Sequence, residues 1–90
     1  MDRNQSQITR ELRALGLSVR PTHIVGNGFP DLAVGWAGKT LLVEVKMPGE
    51  KLTEDECEFF EIWNGAAIVA VSTEDILRWF EEEINSQKRG

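Results

Sequence analysis

Apolar residues at positions 8, 12 and 15 (Ile8, Leu12, Leu15) recur at helical spacing and predict a helix over residues 5–15. Asn4 is its expected N-cap and Gly16 its stop. Residues 17–25 read as extended, with Val19, Ile24 and Val25 apolar. Pro21 offers no ladder donor, so this strand is expected at a sheet edge or bulged. Gly26-Asn27-Gly28 is expected to be a loop. Residues 31–36 and 39–46 alternate and predict a β-hairpin across Ala37-Gly38. Pro48 and Gly49 break the chain again, and Thr53 with Glu56 forms a capping box that opens a second helix, ending near Gly65. Residues 66–71 predict a buried strand, and Ser72 or Thr73 caps a last helix that turns Ile76, Leu77, Phe80 and Ile84 inward. The order αβββαβα predicts an α/β (α+β) domain, a mixed sheet with helices on its faces.

The hairpin carries most of the chemistry. With a two-residue loop, Trp36 pairs with Lys39, and the same register sets Asp31 opposite Glu44. Their Cβ atoms would be about 5 Å apart. Alternation puts Asp31, Ala33, Leu42, Glu44 and Lys46 on one face and Leu32, Val34, Leu41, Val43 and Val45 on the other. The second face is wholly aliphatic and must be core. Like charges directly opposite one another destabilise a sheet. A hard divalent cation bridging both carboxylates answers that repulsion, since Mg²⁺ takes oxygen ligands, commonly one or two carboxylates plus water and phosphate. Lys46 stands near enough to orient or deprotonate an attacking water, or to steady charge developing on a phosphate. Phosphodiester hydrolysis needs these parts: a Lewis acid, an activated water and a cation.

Composition narrows the setting. The 90 residues make one domain, residues 1–90, and 41% hydrophobic with 28% charged residues excludes a disordered tail. The longest apolar runs, such as residues 66–71, fall well short of the ~20 that span a membrane, so no membrane partner is expected. No apolar segment follows Asp2, Arg3 and Asn4, so a secretory leader is not expected, and Cys57 alone builds neither a disulfide nor a zinc site. An intracellular, cytoplasmic location follows as the expectation. Charge is divided: residues 1–51 hold seven Lys/Arg and five Asp/Glu (+2), and residues 52–90 hold three and ten (−7), giving the net −5. Non-specific nucleic-acid binding usually rests on basic surface. Any nucleic acid must therefore meet the first half, with divalent cations adding positive charge.

Pro30-Asp31, twelve intervening residues and Glu44-Val45-Lys46 resemble the PD-(D/E)XK nuclease signature. Gly28-Phe29-Pro30-Asp31-Leu32, that tripeptide, and Leu52-Thr53 opening an acidic amphipathic helix resemble more narrowly the stand-alone VRR-NUC domains, which bacteriophages often encode. The likeness runs from about Asn4 to Ile84. It implies a restriction-endonuclease-like core and a Mg²⁺- or Mn²⁺-dependent DNA endonuclease, at work in a bacterial or phage-infected cell. Asp31 and Glu44 would be metal ligands together with the backbone carbonyl of Val45, and Lys46 the catalytic lysine. Family members often add a Glu or Gln from the first helix; Gln7 is the best match here, with Gln5 and Glu11 as competitors. The Gln that many relatives carry after the lysine corresponds to Glu56. Stand-alone relatives tend to dimerise, so a homodimer is expected. Two sites facing two strands suit branched DNA such as a four-way junction, in the manner of a Holliday-junction resolvase.

Plainer readings stand beside these. Asp31 also reads as a turn aspartate, and Glu44 and Lys46 as a solvated strand face. The capping box accounts for Glu56 without chemistry, and Glu11 and Gln7 read as helix-surface residues, Glu11 pairing with nearby arginines. His23 and the tryptophans read as structural, and Cys57 as a core-edge residue. The departures at Gln7 and Glu56, with the acidic second half, leave one alternative function: a weak or inactive nuclease-fold module that binds nucleic acid or a protein.

Overall fold

The computed structural model describes residues 3–89; residues 1, 2 and 90 lie outside the described residues. The first helix, α1, spans Arg3–Ala14 and buries Ile8 and Leu12. It closes as predicted at Gly16, whose φ of 95° lets Leu17 N–H bond the Leu12 carbonyl and Gly16 N–H the Arg13 carbonyl, both at 3.0 Å. Leu15 lies beyond the helix and is exposed, so the apolar stripe is one residue shorter than the spacing implied. Asn4 does not cap the helix but lies inside it. Its side-chain amide instead donates to the carbonyls of Lys46 (3.1 Å) and Val71 (3.3 Å), tying α1 to two strand ends.

Among the described residues the strands are β1 (Ser18–Pro21), β2 (Leu32–Trp36), β3 (Lys39–Val45) and β4 (Ala67–Ala70), lying side by side in chain order. The first two pairings are antiparallel and β3 with β4 is parallel. Pro21 does lie on an edge strand, where its missing N–H costs no ladder bond. The extended stretch ends sooner than expected. Thr22 N–H bonds the Asp31 carbonyl at 2.8 Å, and Val25 N–H then turns back to the Thr22 carbonyl at 3.0 Å. His23–Val25 is therefore a 3-10 turn, and Ile24 is 88% exposed instead of filling a strand position.

The hairpin has the predicted register, with Trp36 opposite Lys39 and Leu32 opposite Val43. Ala37 and Gly38 take φ of 53° and 78°, the two-residue turn whose twist matches the strands it joins. The capping box forms as read: Thr53 Oγ1 accepts from Glu56 N–H at 3.2 Å and Glu56 Oε1 from Thr53 N–H at 2.8 Å. The helix it opens, α2 (Glu54–Ile62), carries the chain from β3 to the parallel β4, and α3 (Thr73–Arg89) closes the fold.

Leu32, Val34, Leu41, Val43 and Val45 form one buried face with Ile8 and Leu12 of α1 and Ile76 and Phe80 of α3. Helix α2 lies over the opposite face, where Glu56 reaches Lys46. Phe59 of α2 stacks on Trp63 at 5.0 Å and meets Phe29 edge-on at 5.4 Å. Gly28, at φ 81°, passes so close to the start of α2 that a Cβ there would collide with the Asp55 carbonyl. Cys57 is exposed, not at the core edge, because it falls on the outer side of this short helix. No helix among the described residues is long and apolar enough to cross a membrane.

Candidate functional site

One step beyond the last ladder pair of β2 and β3, Asp31 comes opposite Glu44. Asp31 N–H and C=O point to β1, as its bond to Thr22 requires, so this is a non-hydrogen-bonded pair, the closer of the two kinds. Asp31 Oδ2 accepts Val45 N–H at 2.9 Å, which locks the carboxylate across the hairpin. In the continued register Val45 faces Pro30, which has no N–H, so the ladder offers the Val45 carbonyl no donor. The Pro30-Asp31 step thus leaves a carbonyl oxygen and two carboxylates at one end of the hairpin.

These side chains do not form a solvated strand face. Glu44 is 3% exposed and Lys46 6%. The Lys46 ammonium lies 2.7 Å from Glu56 Oε1, 3.6 Å from Glu50 Oε2 and 3.7 Å from Glu44 Oε2. Burial works to lower the lysine pKa, but the bond to Glu56 and the charges of Glu56, Glu44 and Glu50 outweigh it and hold the group above its ordinary value. These acids favour the charged form of Lys46.

Glu44 shows the reverse. Burial, a hydrogen bond with Glu56, and the charge and hydrogen bond of Asp31 push its carboxyl up from 4.5 to about 9. Burial also works to raise Glu56, but the Lys46 and Thr53 bonds prevail and hold it below the ordinary value. Three carboxylates (Glu44, Glu50, Glu56) therefore surround one ammonium, with Asp31 acting on Glu44, and this crowding of acids favours the protonated form of Glu44.

No family model, no curated protein and no solved structure matches this chain.

Among the helper residues expected, the structure brings Glu56 to Lys46. Glu56 pairs with Lys46 while also completing the capping box. Gln7 is exposed on α1 and donates to Glu11 Oε2 at 3.2 Å. Glu11 accepts from the Thr73 hydroxyl rather than from an arginine, and the Thr73 and Gln7 bonds lower its pKa. No hydrogen bond or ion pair among the described residues joins Gln7 or Glu11 to Asp31, Glu44 or Lys46. Gln5, the competitor on the same helix, is buried. Glu50 was not foreseen at the site. Its signal was the Pro48-Gly49 turn, which returns the chain so that Glu50 Oε1 accepts Met47 N–H at 2.9 Å and Oε2 faces Lys46.

No group of three or more His, Cys, Asp or Glu side chains among the described residues converges into a metal cage. The donor set nevertheless fits a hard divalent ion. Mg²⁺ is commonly held by one or two carboxylates with water and substrate phosphate, not by an all-protein cage. Asp31, Glu44 and the Val45 carbonyl are the residues that could supply such a set.

Proposed function

We propose that this chain is a Mg²⁺- or Mn²⁺-dependent DNA endonuclease of the PD-(D/E)XK type, close in plan to a stand-alone VRR-NUC domain. One observation carries the reading: Asp31 and Glu44 are juxtaposed across the hairpin, and Lys46 stands two residues on, buried on the same face. Asp31, Glu44 and the Val45 carbonyl would hold the metal, and the ion would supply Lewis-acid polarisation of a phosphoryl oxygen. Lys46 keeps its proton and supports the charge that grows on the phosphate oxygens as water attacks. Glu56 holds the ammonium in place.

A body of 90 residues has little surface with which to read bases, so the substrate is defined by shape. Branched DNA such as a four-way junction, cut by a homodimer with one site per strand, is the form that fits. The proposed setting is the cytoplasm of a bacterial or phage-infected cell.

The test is cleavage of supercoiled plasmid and a labelled four-way junction with Mg²⁺, Mn²⁺ or EDTA, with Lys46→Ala alongside. Metal-dependent cutting that is lost in Lys46→Ala supports the nuclease. Absence of cutting by folded wild type in either metal sinks it. It would then favour a second reading, a non-catalytic module that binds nucleic acid or a protein. The observations on that side are the Lys46–Glu56 ion pair, which occupies the lysine, and the outward turn of Gln7.

A further inference from the structure

The chain is acidic overall, yet three of its arginines lie along one border. Arg10 and Arg13 lie one turn apart on α1, and Arg20 lies on the edge strand β1. No carboxylate among the described residues is within ion-pair distance of any of the three; the ion pairs formed use Lys46 and Arg78. With 15 Asp and Glu against 10 Lys and Arg, unpaired arginines are not a matter of too few partners. Glu11, the sequence neighbour of Arg10, acts on it through charge alone.

Between α1 and β1 lies a recess of about 340 Å³, lined by Ser6, Thr9, Arg10, Arg13 and Pro21. Arg13 is fixed at its wall, because Nη2 donates to the Val19 carbonyl at 2.8 Å and leaves the other guanidinium donors to spare. Thr9 is 8% exposed, and its hydroxyl has no hydrogen-bond partner among the described residues. Buried hydroxyls are rarely left unsatisfied. Two guanidinium groups and two hydroxyls in one recess, with no acid, are a donor set for a phosphate.

The recess also lies beside the candidate site. Pro21 pairs with Leu32, the neighbour of Asp31, and Thr22 N–H bonds the Asp31 carbonyl at 2.8 Å. Arg20 pairs with Ala33 and so shares the face of Asp31 and Glu44, whereas Arg10 and Arg13 stand on the α1 side of the same edge. A nucleic-acid strand carries a phosphate every 3.4 Å or so of its axis. A strand laid over Asp31 and Glu44 and leading past Arg20 would bring a neighbouring phosphate to the recess.

The geometry points to the α1–β1 recess as a seat for a DNA backbone phosphate, which registers the strand relative to Asp31 and Glu44. This rests on the nucleic-acid part of the function proposed above. It explains how a chain of net charge −5 can hold a polyanion: the acids lie mainly in the second half, and the first half offers this edge.

The test is fluorescence anisotropy of the full chain with a labelled duplex and a labelled four-way junction, in EDTA so that nothing is cut, across a salt series. Arg10→Gln removes one phosphate contact. Ser6→Asp places a carboxylate four residues before Arg10, where it neutralises the arginine without removing it. Each should weaken binding about fivefold at ~0.15 M salt and about fifteenfold at ~0.05 M, and flatten the log–log salt slope by about 0.9. Melting temperatures should stay at the wild-type value, because both side chains are exposed. Unchanged affinity and slope in both variants would overturn the seat and leave the nuclease reading intact. Recess-dependent DNA binding by a wild type that cuts in no metal would do the opposite. Absence of DNA binding by wild type would overturn both. Titration with inorganic phosphate, followed by amide shifts at Thr9 and Arg10, separates a small-anion site. Saturation by phosphate with DNA binding indifferent to Arg10 would also overturn the proposal.

Discussion

One oxygen of Glu56 serves two partners: Oε1 accepts Thr53 N–H at 2.8 Å and lies 2.7 Å from Lys46 Nζ. The start of α2 and the charge of the candidate catalytic lysine are therefore coupled through a single carboxylate. Glu56→Gln should keep the cap, since Gln also completes a capping box, but give up the charge that holds Lys46 above its ordinary pKa. We expect the alkaline limb of the cleavage pH profile to move to lower pH with little change in melting temperature. Glu56→Ala should in addition cost about 0.5–2 kcal/mol by loss of the cap. A Gln variant whose alkaline limb stays in place would show that Glu56 does not govern the lysine.

Glu44 predicts the pH dependence of stability. Its folded pKa lies above the unfolded one, so the folded state binds more protons between about pH 4.5 and 9. Stability in EDTA should therefore fall as pH rises through that window and level off above it. If about 1 kcal/mol of the effect survives solvent screening, the melting temperature drops by roughly 4–8 °C. Glu44→Gln should flatten the slope and melt higher than wild type at the alkaline end. Thermal melts across the window check this, and a wild-type melt that rises with pH would contradict it.

Mn²⁺ should raise the wild-type melting temperature by mass action and release a proton as it displaces the one on Glu44. Calorimetry in two buffers of different ionisation enthalpy counts that proton. Asp31→Asn and Glu44→Gln should each abolish binding, whereas Lys46→Ala should retain it. Mn²⁺ binding undiminished in Asp31→Asn would remove Asp31 from the ligand set.

Repulsion between Asp31 and Glu44 alone would make Asp31→Ala stabilising in EDTA. We expect the opposite sign, because Asp31 Oδ2 is the acceptor for Val45 N–H. Leaving that donor unsatisfied costs about 1–3 kcal/mol. Asp31→Ala should therefore melt lower than Asp31→Asn, whose amide oxygen still accepts the bond. Equal melting of the two variants would show the bond to be worth nothing.

Gly28→Ala combines a φ of 81° with a collision against the Asp55 carbonyl and the Glu56 amide nitrogen. We expect a loss of at least about 2 kcal/mol, or a fall in melting temperature of about 10 °C. Cleavage should fall with it even at temperatures where the variant is folded, because the start of α2 carries Glu56. Full activity of folded Gly28→Ala would separate the loop from the site.

Residues 37 and 38 show why so much was legible locally. A two-residue turn sets the parity of both strands, and parity decides which side chains share a face. Asp31, Glu44 and Lys46 could therefore be grouped, and the aliphatic face assigned to the core, from the sequence alone. The capping box at Thr53 and the stop at Gly16 are likewise short-range backbone chemistry, complete within a few residues. Contacts between elements were of another kind. Ile24 looked like a strand residue, but the ladder had ended at Thr22 and no helix lay there to cover it. Asn4 looked like a cap, yet its amide spans 42 and 67 residues to the ends of β3 and β4. Gln7 and Gln5 differ by two positions on one helix, about 200° around its axis, and only the docking of α1 decided that Gln7 faces water and Gln5 is buried. The order of elements, the hairpin register and the carboxylate pair were thus determined by sequence, because each depends on local geometry. The ring of acids around Lys46 and the arginine edge were decided by tertiary packing, which alone sets the rotation of each helix against the sheet.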